Sequence, residues 1–304
     1  MMSSLIGALE SGMIYALMAL GVYITFRILD FPDLTVDGSF TTGGAIAAVM
    51  ITGGVAPWIA TIAAFGGGMV AGAITGLLHT KGRINGLLSG IVMMIALYSI
   101  NMRIMGKPNV SLLGENTLFS SIPELLLMPF IVIIVKLLLD LFFHTDLGLA
   151  LRATGDNQRM IRSFGAHTDH TIILGLSLSN GLVALSGGLI AQSSGFADIS
   201  SGIGMIVIGL ASVIIGEAIF GARNVIVATL AVVLGAIVYR FIYALALRIE
   251  WLEQTDLKLI TAVIVVVALV LPTMQRSRKA KSMAQKRSSE ITTATDHTSL
   301  GGEL

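Results

Sequence analysis

Cysteine is absent from the 304 residues, which removes disulfides, thiolate chemistry and the softest metal ligand. Histidine occurs five times, never in an HxxxH or HExxH spacing, so no zinc-binding helix is expected. Charge is scarce as well. Asp, Glu, Lys and Arg make up 12% of the chain, against roughly 25% in soluble domains, too little to cover a water-facing surface. Also missing is GxxxxGK[ST], the loop whose amides cradle nucleotide phosphates. No catalytic constellation is visible, and no cofactor or metal is expected. Nor is there the ladder of paired acids that a proton-driven carrier uses, although a sodium-coupled carrier can hold its ion through backbone carbonyls.

What the chain has instead is apolar and small residues. Hydrophobic residues make up 55% of it, with 34 glycines and a mean hydropathy of +0.88. A helix needs ~20 apolar residues to cross the hydrocarbon core, and close helix packing in lipid favours small side chains. Apolar runs occur at 5–28, 40–52, 59–78, 84–105, 122–143, 171–192, 203–220, 225–247 and 257–271. They predict an all-α fold, a polytopic transmembrane helical bundle of about nine to ten spans filling residues 5–272. A basic, polar tail follows at 273–304 and reads as disordered. With four residues before Leu5 and no charged n-region, the first run reads as a retained helix, not a cleaved signal.

The segments between the runs are more informative. DFPDLTVDGSF, at 30–40, carries three acids, and Pro32 disfavours helix at Phe31. This joint reads either as a substrate or ion gate, or as a solvated turn whose Asp caps the next helix. Gly68, Gly72 and Gly76 share one helical stripe, which predicts a packing seam. Polar residues within spans are costly and often functional; those present include Asn85, Asn101, Asn180, Gln192, Glu217 and Arg240. Glu217 is expected to pair with Arg223 at the interface. Asp37, Asn85, Asn101 and Asn180 are the candidate residues of a solute pathway. The phrase LSGG at Leu185 to Gly188 imitates the start of an ATPase signature, but without a phosphate loop it reads as helix packing.

One polar interruption organises the rest: LGLALRATGDNQRMIRSFGAHTDH at 147–170, within a loop spanning 144–170. Thr154 or Asp156 can cap a short helix. Met160, Ile161 and Phe164 then cluster on one side, flanked by Arg159 and Arg162, and Gly165 can end the helix with positive φ. An apolar knob with a basic rim suits a groove in a soluble partner. The other reading is a basic loop that obeys the positive-inside bias. Placing it in the cytoplasm collects Lys81, Arg83, Arg152, Arg159, Arg162, Arg223 and the tail's basic residues on one side. Lys107, Arg248 and Lys258 remain outside among Glu115, Asp198, Glu250, Glu253 and Asp256. The carboxyl terminus is then cytoplasmic. Five runs before the loop put the amino terminus outside, whereas a re-entrant segment or a tenth span near Phe40 returns it inside.

GMIYALMALGVYITFRILDF, at 12–31, resembles the opening helix of the branched-chain amino acid permeases of ABC importers. Residues 147–189 are similar to that family's cytoplasmic loop and following helix, and DLTVDGSF is closer to a branch linked with aromatic amino acid uptake. The resemblance extends over about 11–271. It implies a permease domain at 5–272 that dimerises in the lipid bilayer of the cell (inner or plasma) membrane. It also implies two separate ATPase subunits docked beneath and an extracellular or periplasmic substrate-binding protein; no nucleic acid is expected as a partner. The ATPase-coupling helix would fall at about 154–165, drawing on Thr154, Asp156, Asn157, Arg159, Met160, Ile161, Arg162, Phe164 and Gly165. Where the family often has proline after the asparagine, this chain has Gln158. The cargo is expected to be a small solute, an amino acid by resemblance, with sugar and nucleoside left open. The alternative is an ion-coupled secondary carrier that needs no ATPase.

Overall fold

A computed structural model describes residues 2–165, 167–247, 262, 263, 266 and 270. Apart from those last four positions, the predicted run at 257–271 lies outside the described residues, as do the tail at 273–304 and the outer charges at 248–258. In chain order the elements are α1 (Met2–Tyr23), a π-helical turn (Ile24–Ile28), α2 (Thr35–Thr52), α3 (Pro57–Thr80) and α4 (Gly86–Met105). Then come β1 (Asn109–Ser111), α5 (Leu118–Ser121), α6 (Glu124–Phe143), α7 (Asp146–Asp156) and α8 (Gln158–Ser163). The chain continues through α9 (Thr168–Ser194), β2 (Phe196–Asp198), α10 (Met205–Phe220) and α11 (Val225–Ala246).

The architecture is a helical bundle. Among the described residues six helices are long and apolar enough to cross a membrane: α1 with its π turn, α3, α4, α6, α9 and α11. The 16-residue α10 and the 18-residue α2 run beside them. The expected nine to ten spans thus resolve, among the described residues, into six helices of spanning length and two shorter companions.

The bundle is built around α9, because that helix is small-residue-rich and polar enough to be stitched on several sides. Ser179 donates to the carbonyl of Gly21 (2.7 Å), Ser186 to that of Ile14 (2.9 Å) and Ser177 to that of Met69 (2.6 Å). Gln192 Nε2 donates to Thr61 Oγ1 (2.9 Å). Such bonds hold helices together in lipid, where apolar side chains gain nothing by leaving the solvent. The glycine stripe on α3 faces α9 directly. A Cβ on Gly68 would lie 2.2 Å from the Asn180 carbonyl oxygen, and one on Gly72 2.1 Å from that of Leu176. Gly187, within the LSGG phrase, meets Phe40 of α2 in the same way. That phrase is helix packing, and the glycine seam is where the spacing predicted it.

α2 begins at Thr35, five residues before the apolar run. Its polar first turn is buried rather than solvated, so hydropathy alone hides it. At the far end of the bundle, the polar segment 107–121 contributes β1, which pairs antiparallel with β2 through Asn109 and Asp198, Val110 and Ala197, Ser111 and Phe196. The Ser200 hydroxyl and amide, together with Asn109, hold the Asp198 carboxyl below its ordinary value. A depressed pKa stabilises above the unfolded value of about 3.9 and is lost as pH falls through the folded one. Protection of the ladder amides, measured against their intrinsic exchange rates, is therefore expected to be full at neutral pH and to fall below about pH 4. In an Asp198→Asn variant that acid-dependent step should disappear.

Candidate functional site

Two places concentrate polar side chains. The first is the 144–170 loop. Thr145 caps α7, its hydroxyl accepting from the Gly148 amide (3.3 Å). α7 is bolted to the bundle: Leu151 and Thr154 are buried, and Thr154 donates to Ala150 (2.7 Å) and meets Thr171 Oγ1 (2.9 Å). Gly155 lies so close to the π turn that a Cβ would sit 1.7 Å from the Ile28 oxygen.

The single helix expected over 154–165 is two. Thr154 and Asp156 close α7, and Asn157, with extended backbone (φ −160°), caps α8 by accepting from the Met160 amide (3.1 Å). An extended residue cannot continue a helix, and its free side-chain oxygen satisfies an orphan amide. Gly165, at φ 83°, follows the end of α8. No residue of α8 is buried. Met160 is 51% and Phe164 78% exposed, while Ile161 is half-buried. Arg159 is exposed; Arg162 Nε donates to Thr168 Oγ1 (2.7 Å) and its terminal nitrogen reaches Asp169 (3.4 Å).

The same face carries further charge. Glu217 does not pair with Arg223; its carboxylate accepts from Arg27 at 2.8 Å. The π turn of α1 projects Arg27 there, and Arg223 lines the same cavity of about 550 Å³ with Arg152 and Asp156. The sequence distance of 190 residues concealed that partner.

The second place is the joint between α1 and α2. Asp33, Thr35, Ser39 and Asn180 are all fully buried. The Asp33 carboxyl accepts from the Thr35 amide (2.9 Å) and from Asn180 Nδ2 (2.6 Å), and Asn180 Oδ1 accepts from Ser39 (2.7 Å). Thr35 meets Thr75 of α3 at 2.9 Å. Asn180 is therefore the fully buried centre of a closed knot joining α2 and α9. Replacing it by alanine would leave Asp33 and Ser39 unbridged in a dry interior, a loss of about 3 kcal/mol. Thermal unfolding in detergent reads this directly, and an unchanged Tm for Asn180→Ala would show that the knot carries no stability.

Asp37 is different. Its two carboxylate oxygens accept from the amides of Gly204 (2.9 Å) and Ile206 (2.8 Å), the orphan donors at the start of α10. Asp37 and Asn101 line one cavity of about 490 Å³, with Thr41, Met94 and Tyr98. Asn101 donates to the Gly38 carbonyl (3.2 Å), and its buried Oδ1 has no partner. Asn85 lies elsewhere, capping α4 by accepting from the Leu87 amide (3.0 Å) at the face that bears α8. Of the four pathway candidates the structure brings two together.

Lys136 and Asp140, outside the candidates named from the sequence, form an ion pair inside α6. Thr229 of α11 donates to Asp140 (2.6 Å). Their four-residue spacing was the available signal.

The chain matches the family described as branched-chain amino acid transport system, permease component, over residues 4–270. A tyrosine transport system permease protein of Clostridioides difficile is 46% identical over 279 residues, 91% of this chain and 94% of its own length. An uncharacterised protein of Rickettsia prowazekii is 41% identical over 190 residues, 60% of this chain and 66% of its own. The ribose import permease protein of Escherichia coli is 30% identical over 190 residues, 60% of this chain and 59% of its own. No solved structure matches the chain.

Proposed function

Since the chain belongs to the family of branched-chain amino acid transport system permease components, we propose that it forms half of the membrane pathway of an ABC importer, driven through α8 by a separate ATPase. The observation that carries this reading is the presentation of Phe164. A 78% exposed phenylalanine ends a helix with no buried residue, itself hung from a firmly packed α7. Large apolar side chains held out in this way mark interaction sites, and Arg159 supplies a basic rim.

The face bearing α8 is cytoplasmic in this reading, because Arg27, Arg83, Arg152, Arg159, Arg162 and Arg223 gather there. α1 ends at that face, so its start lies outside. The carboxyl-terminal tail is cytoplasmic if 257–271 returns the chain as a ninth span. Movement of α7 and α8 would reach the core through Gly155 and Thr154. The cavity at Asp37 and Asn101 would form part of the pathway, closed by a second copy packed on the exposed Ile95, Tyr98 and Ile203. A substrate-binding protein would deliver cargo to the hairpin end.

The proposed cargo is an amino acid, with an aromatic one favoured by the relative named for tyrosine transport; the relative named for ribose import makes a sugar the second reading. The experiment is uptake into liposomes holding the chain, an ATPase and a binding protein from the same genome. Tyrosine uptake should require ATP on the ATPase side and exceed ribose uptake. Uptake by the lone chain on a sodium or proton gradient would instead establish the secondary carrier.

A further inference from the structure

We propose that the groove between α3 and α6 holds an anionic phospholipid of the cytoplasmic leaflet, with its phosphate seated beside the coupling segment. α6 packs on α1 and α11, while α3 packs along α9. The outward surface of α9 therefore lies at the bottom of an open channel between them. This channel is a cavity of about 630 Å³ walled by Phe65 and Met69 of α3 and by Leu138 and Phe142 of α6, with Leu178 and Leu185 in its floor. The one hydroxyl there, Ser177, already donates to the Met69 carbonyl (2.6 Å), so apart from His170 at one end the lining offers no free polar group.

Along α9 the channel runs from His170 to Leu185, about 22 Å at the helical rise. That is an acyl chain's length.

At its α8 end the character changes abruptly. His170 also lines a second cavity, of about 770 Å³, with Arg83, Arg162, His79, His167 and Asp169. Two arginines face one carboxylate, and that carboxylate is already engaged by Arg162 at 3.4 Å. Arg83 has no ion pair among the described residues, and it is held in the left-handed region at φ 53°, a conformation non-glycine residues rarely adopt. His79 fixes this turn through the Ile84 carbonyl (2.8 Å). An apolar slot at bilayer depth that shares His170 with a basic pocket at the cytoplasmic surface matches an anionic glycerophospholipid in both parts. Neither a soluble anion nor a neutral lipid uses both. Because Arg162 belongs to α8, an occupied site would tie the coupling segment to the membrane surface.

The proposal rests on the cytoplasmic placement of α8, but lipid retention is measured without transport, so its failure leaves ATP dependence standing. The test is native mass spectrometry of the full-length protein extracted in mild detergent and supplied with phosphatidylglycerol, phosphatidylcholine or glycerophosphate. Phosphatidylglycerol should stay bound, and Arg83→Gln should weaken its retention roughly five-fold, the weight of one basic side chain at an anionic surface. Leu178→Trp, which fills the slot, should lower retention of the lipid while thermal unfolding confirms an intact fold. If Leu178→Trp does not fold, Leu138→Trp on the exposed wall takes its place. Retention unchanged in Arg83→Gln and in the folded slot variant would overturn the proposal. So would equal retention of phosphatidylcholine, or displacement by glycerophosphate, which would indicate a free-anion site.

Discussion

Replacing Phe164 by aspartate is expected to lower ATP-driven uptake by roughly thirty-fold, the scale of losing one central anchor at a protein interface. The protein itself should remain folded. Phe164 is 78% exposed, and its backbone contacts are turn bonds at the end of α8, so Tm should not move. Co-purification of the ATPase should fall with the uptake, and adding Arg159→Asp should deepen the loss. A variant that keeps its ATPase yet fails to transport would mean that Phe164 transmits motion without supplying affinity. Normal uptake in the variant would remove α8 from the drive altogether.

The second large effect is on folding. A Cβ on Gly43 would stand 1.8 Å from the Ala184 carbonyl oxygen, and one on Gly72 2.1 Å from that of Leu176. Both obstacles are backbone, so no rotamer change relieves them and the helices must part. Overpacking against side chains costs about 1–3 kcal/mol. Displacing α2 from α9 also breaks the bond of Ser39 to Asn180, and displacing α3 breaks those of Ser177 to Met69 and Thr35 to Thr75, so Gly43→Val and Gly72→Val should each cost more than about 4 kcal/mol. Loss of the monodisperse protein in detergent is the expected result. Gly66 is the control on the same helix as Gly72: nothing lies within 4 Å of its added Cβ. Gly66→Ala should therefore be neutral or stabilise by about 1 kcal/mol. If Gly72→Val tolerates detergent as well as Gly66→Ala does, the close approach of α3 to α9 is wrong.

These expectations show which parts of the molecule the sequence could disclose. The spans were legible because apolar length and glycine spacing are local properties: Gly68, Gly72 and Gly76 share a face of any helix, and that face met α9. The loop at 144–170 was legible by contrast with its surroundings, and Met160 and Phe164 emerged exposed. What stayed hidden depends on partners remote in the chain. Of the three acids of the joint, Asp30 is exposed, Asp33 is buried in a knot and Asp37 caps a helix, but Asn180 lies 147 residues from Asp33 and Gly204 lies 167 from Asp37. Glu217 was assigned to its neighbour Arg223, and the fold gives it Arg27. The break at Asn157 was missed because Thr154 and Asp156 are equally good capping residues, and only the packing of Thr154 against Thr171 removes it from that role. α2 shows the same limit: TVDGS looks like a solvated turn until its side chains find buried partners.

The central claim is that α8 touches the ATPase that drives the transporter. The absence of cysteine from the chain makes this directly measurable. A single cysteine in place of Phe164, paired with cysteines along the permease-facing groove of the ATPase, should form a disulfide adduct whose yield changes when ATP is bound. A cysteine in place of Leu126, which is 70% exposed at the opposite end of the bundle, should form none. Adducts of equal yield at the two positions, or none at position 164 in an assembly that hydrolyses ATP and transports, would contradict the account.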